Sequence, residues 1–114
     1  MREIRLREFG PVQNRVSLGV HVRRWLKHHL ASLAEGETLV VNCEGVTIMS
    51  TEYATAAFGS LMAELATGDY GQRSMGFSHT GPDVDAAITE AVEGEGLDVE
   101  ARTHLTIGRE RDAL

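Results

Sequence analysis

The chain has 114 residues, an apolar fraction of 42% and a formal net charge of −6. That length fits one domain with one hydrophobic core, and the composition is that of a globular rather than a disordered chain. The longest apolar runs span only a few residues, as in Leu39-Val40-Val41, which excludes a membrane-spanning helix, and the acidic balance argues against a nucleic-acid partner.

No apolar leader follows Met1, and Cys43 is the sole cysteine, so a cytoplasmic address without an internal disulfide is expected. Charge is unevenly spread. Residues 1–30 carry seven basic and two acidic side chains, net +5, and the remainder carries four basic and fifteen acidic, net −11. Such asymmetry can steer a charged partner or favour a head-to-tail homo-oligomer, although solvated faces of opposite sign produce the same pattern.

In chain order, residues 2–9 alternate, with Ile4 and Leu6 marking a half-buried strand near a sheet edge. Gly10-Pro11 breaks the pattern, and Val12 begins a second short extended piece. Ser17 is a candidate N-cap for an amphipathic helix whose stripe is Leu18, Val22, Trp25, Leu26, His29, Leu30 and Leu33. Glu35-Gly36-Glu37 ends it. Thr38 to Cys43 is an apolar run without alternation, the pattern of a central strand with helices on both sides of the sheet. Ser50 or Thr51 then caps a second helix with a stripe of Ala54, Ala57, Phe58, Leu61 and Leu65. Its small residues Ala54, Ala56, Ala57 and Gly59 would let it approach the sheet closely. Gly68 is its stop. Ser74 to Ser78 reads as a strand. Pro82 and Asp83 suit the first turn of a third helix, with Val84, Ala87, Ile88, Ala91 and Val92 facing inward. Asp98 to Ile107 alternates loosely as a final edge strand, and Arg109 to Leu114 form a frayed tail. The whole predicts an α/β fold: a mixed β-sheet with three main helices packed against it, one domain over residues 1–108 and a tail over 109–114.

No residue set converges on metal or cofactor chemistry, so no cofactor is expected. His21 and His28 share a helix face about 10 Å apart, too far for one ion. Asp83 and Asp85 read as dipole partners in a first turn, and Gly94-Glu95-Gly96 follows a helix rather than a strand, unlike a dinucleotide fingerprint. Cys43 and His79 both fall at strand ends and form the only nucleophile–base candidate, but no orienting acid accompanies them.

The segment from Asn42 to Ala54 runs strand, tight turn, hydroxyl cap, helix. Together with Phe9-Gly10-Pro11, Asn14-Arg15, Cys43-Glu44-Gly45-Val46 and Phe58-Gly59-Ser60-Leu61, it resembles the STAS-like domain of unknown function family, related to the bacterial anti-sigma-factor antagonists. The resemblance spans about residues 8–93. It implies a non-enzymatic regulatory module that binds a protein partner, such as an ATPase of the GHKL type. In the antagonists a serine at the start of this helix is phosphorylated by that partner. By position, Ser50 matches the family's aspartate, Thr51 its first serine and Glu52 the phosphorylated serine. Glu52 cannot accept a phosphate, and the acidic residues expected at positions 42, 55 and 56 are Asn42, Thr55 and Ala56.

The expected partner surface is therefore Ser50, Thr51 and Glu52, with His79 and Thr80 from the neighbouring strand end. One hydroxyl caps the helix and the other stays free. Glu52 gains roughly 0.3–1 kcal/mol from the helix dipole whether or not a partner reads it. The rival reading is a sensor for a small molecule or nucleotide at the carboxyl edge of the sheet, where open α/β sheets bind ligands.

Overall fold

A computed structural model describes residues 2–96 of the chain. The expected terminal strand at 98–107 and the tail at 109–114 lie outside the described residues. Within them the order is β1 (Arg2–Arg5), a 3₁₀ turn (Leu6–Phe9), β2 (Val12–Gln13), α1 (Val16–Ala31), β3 (Thr38–Asn42) and β4 (Ile48–Met49). A helical rod follows, made of α2 (Thr51–Ala54), a π-helical segment (Thr55–Gly59) and α3 (Ser60–Ala66); then come β5 (Ser74–Ser78) and α4 (Pro82–Gly94). The fold class is α/β.

Strands β1, β3 and β5 form a parallel sheet in that order, with Ile4 opposite Val41 and Val41 opposite Phe77. Strands β2 and β4 form a separate parallel pair, Val12 opposite Ile48 and Gln13 opposite Met49. β3 is central, as its unbroken apolar run implies, and Leu39, Val40 and Val41 are fully buried.

Among the described residues, however, the helices do not divide between two faces. Ile4, Leu39, Val41, Met75 and Phe77 share one core cluster with residues of α1, the rod and α4. The strand order explains this. Crossovers of one hand that step in one direction along a sheet place their helices on the same face. Val40 points the other way, level with Glu3 and Gly76.

The rod is flanked by α1 and α4, so its small residues serve helix–helix packing rather than approach to the sheet. A Cβ on buried Gly19 of α1 would lie 2.8 Å from Ala56 Cβ and 2.8 Å from the Tyr53 carbonyl oxygen. The rod's core residues come in pairs four apart: Tyr53 and Ala54, Ala57 and Phe58, Leu61 and Met62. On a regular α-helix a four-residue step drifts by about 40° per turn. The wider turn of the π segment absorbs that drift and keeps all three pairs on the core.

Other local expectations shift. The first strand ends at Arg5 because Leu6–Phe9 curl into a 3₁₀ turn, closed by Gly10 N–H on the Arg7 carbonyl at 2.8 Å. α1 starts at Val16 after Arg15, with no side-chain cap, so Ser17 is inside it. It ends at Ala31, before Glu35-Gly36-Glu37, and Leu33 is buried from the loop beyond. Trp25 is half-buried rather than core. It sits at the rim, edge-to-face with Phe9 at a centroid distance of 4.9 Å and with His29 at 5.1 Å.

Candidate functional site

The second helix begins as expected. Ser50 has extended backbone, and its Oγ accepts the Tyr53 N–H at 3.1 Å. Strand β4 immediately before it fixes its position: Ser50 N–H donates to the Gln13 carbonyl at 3.1 Å, and Met49 N–H to Asp83 Oδ2 at 3.2 Å. Asp83 thus spends its first-turn carboxylate on holding the start of the rod against the start of α4. Beneath, Gln13 is fully buried. Its Nε2 donates to the Leu6 and Gly10 carbonyls at 3.0 and 2.9 Å, and its Oε1 accepts the Tyr53 hydroxyl. This amide ties the 3₁₀ turn, β2 and the rod into one unit. Burial, with a contribution from nearby Cys43, pushes the Tyr53 hydroxyl well above its ordinary range, so it remains a donor.

Thr51 departs from expectation. Its Oγ1 is not free but donates to Glu90 Oε2 of α4 at 2.8 Å. Glu52 is exposed on the first turn. His79 is exposed with left-handed backbone, φ +55°, at the end of β5, and Thr80 beside it is half-buried. No hydrogen bond or ion pair among the described residues joins Ser50, Thr51 or Glu52 to His79 or Thr80; the Met49–Asp83 bond ties β4 to the first turn of α4.

A feature absent from the sequence reading borders this helix start. Val12, Val16 and Ile48 are 44%, 53% and 50% exposed, and they are the large hydrophobic side chains left exposed among the described residues. Val12 and Ile48 are register partners on the β2–β4 ladder, two residues before Ser50 on the β4 side. From Val12 a groove of about 580 Å³ follows the start of α1 past Phe9, Arg15, Leu18 and His21. The signal in the sequence was faint, since a two-residue strand has no period to read.

Cys43 is fully buried, its Sγ within 3.7 Å of the Val41 carbonyl, and burial pushes its thiol up to about 12. It is protonated at neutral pH and lies in the core, whereas His79 is exposed, and no hydrogen bond among the described residues joins the two. No group of three or more metal-ligating side chains is found among the described residues, and no described helix is long and apolar enough to cross a membrane.

At the carboxyl edge of the three-stranded sheet a second cleft of about 580 Å³ opens between the β1 and β3 ends, bordered by Arg5, Arg7, Asn42 and the Glu44-Gly45 turn. Gly45 has φ +86°, and a Cβ there would lie 2.2 Å from Arg7 Cδ. Only glycine permits both the turn and the arginine stem lying across it. Comparison with protein-family models, with curated proteins and with solved structures finds no match.

Proposed function

We propose that the chain is a non-enzymatic, protein-binding regulatory module of STAS-like type that docks a signalling partner, such as a GHKL-type ATPase, through the β2–β4 ridge and the adjoining helix start. The observation that carries this reading is the placement of Val12, Val16 and Ile48. Val12 and Ile48, 44% and 50% exposed, stand opposite each other on the β2–β4 ladder, and the exposed Val16 opens the helix that follows, so apolar area is offered there to a partner surface.

Next to the ridge stand Ser50, Thr51 and Glu52, the positions that the family resemblance marks. Apolar contacts would supply affinity, and the Glu52 carboxylate, on the first turn of the rod, would supply orientation toward a basic group. His79 and Thr80, which precede α4, would extend the same surface. Thr51 is a poor acceptor for a phosphate in this arrangement. Its hydroxyl is engaged by Glu90, and a phosphate there would face two carboxylates, Glu52 and Glu90. The module therefore works with a fixed charge at Glu52 rather than a reversible one.

Affinity capture from the source cells, followed by hydrogen-exchange footprinting of the purified complex, tests the reading. A signalling protein that protects residues 12–16 and 48–53 supports it. A stoichiometric partner whose footprint lies elsewhere, or a chain that captures none, contradicts it.

A further inference from the structure

The cleft at the carboxyl edge is separate from the apolar ridge and carries a different chemistry. Arg5 and Arg7, two cations, and Glu8 and Glu44, two anions, are among the residues that line it. Among the described residues none of the four enters an ion pair, whereas Lys27 with Glu64 and Arg73 with Glu35 do. Two charges of each sign thus border one concave site at strand carboxyl ends, the usual ligand position in parallel sheets, and Glu8 also acts on His29 of α1.

The site is also held in shape. Asn42, buried at the end of β3, accepts the Glu44 N–H on its Oδ1 at 2.8 Å, which leaves its NH2 group as the available donor. With no Cβ at Gly45, the Arg7 side chain passes against the turn while staying exposed at the cleft. The volume suits a small metabolite.

A nucleoside triphosphate satisfies the arginines but sets its charge against two glutamates. A molecule with one carboxylate and one ammonium group satisfies both signs. We propose that this cleft binds a small zwitterion of the α-amino-acid class, its carboxylate on Arg5 and Arg7 with the Asn42 amide, its ammonium on Glu8 and Glu44. Planar guanidinium groups match a carboxylate through paired N–H donors.

The test is isothermal calorimetry of the intact chain with each proteinogenic amino acid, with inorganic phosphate and ATP as anion controls. At least one amino acid is expected to bind saturably. Arg7→Gln and Glu44→Gln are each expected to weaken it about tenfold or more, the worth of one charge-assisted hydrogen bond. Both side chains are exposed, so circular dichroism should show both variants folded. Absence of binding by every amino acid, binding indifferent to both variants, or binding of phosphate or ATP in place of amino acids would each overturn the proposal.

Discussion

Gln13 bonds three partners from inside the core, and each would lose its hydrogen bond if the amide were removed: the Leu6 and Gly10 carbonyls and the Tyr53 hydroxyl. A buried polar group left unsatisfied costs about 1–3 kcal/mol. Gln13→Leu should therefore destabilise the chain by at least that much in urea unfolding; a loss below about 0.5 kcal/mol would mean that the amide is not the tie described. At Cys43, burial and a thiol raised to about 12 make the native protein inert to thiol reagents at neutral pH. Labelling should begin only as denaturant unfolds the chain, and rapid labelling of native protein would contradict its placement. His29 provides a pH dependence. Partial burial first, then the charges of Arg2 and His28, lower its pKa from 6.5, against an opposing pull from Glu8. The unfolded chain then binds the proton more readily than the folded one, so stability is lost as pH falls through 6.5 toward the lowered folded value. Unfolding curves should show this slope in the wild type and less of it in His29→Gln.

At the scale of elements, the crossing of α1 with the rod rests on the absence of a side chain at Gly19. Gly19→Ala would press a methyl against Ala56 and the Tyr53 carbonyl, and overpacking of this kind costs about 1–3 kcal/mol. Leu61→Ala, in the fully buried stripe of the rod, should cost about 2–5 kcal/mol. A loss smaller than about 0.5 kcal/mol at either position would show that the rod does not pack as described. Long elements were legible in the sequence because their periods are long enough to read. The stripe of α4, the buried Val22, Leu26 and Leu30 of α1, Pro82 at a first turn, a hydroxyl cap at Ser50 or Thr51 and the central place of β3 follow from patterning alone. The side of the sheet taken by the helices did not, because an apolar run reports burial and not which layer causes it. Nor did β4, at two residues, or the 3₁₀ turn after Arg5, which is held by a glutamine seven residues beyond Leu6 and three beyond Gly10. The ridge escaped for the same reason. Val12 and Ile48 look like ordinary core residues until the pairing of two short strands turns them outward, and Val16 is exposed on the first turn of α1.

For the molecule as described over residues 2–96, the parallel sheet, its layer of helices and the β2–β4 pair lying apart from that sheet set the two proposed binding regions on different parts of the fold. One is the apolar ridge with the capped helix start, rigidly supported by Gln13 and Asp83 from below. The other is the charged cleft at the strand ends. The most direct test of the ridge is calorimetric titration of the captured partner with four forms of the chain: wild type, Ile48→Asp, Glu52→Gln and Thr51→Ala. All three substitutions are at residues with solvent access and should leave the unfolding midpoint within a few degrees of wild type. The account predicts that Ile48→Asp weakens binding at least tenfold, that Glu52→Gln weakens it several-fold, and that Thr51→Ala, which loses only the bond to Glu90, changes it least. Equal affinity of all four forms would contradict it.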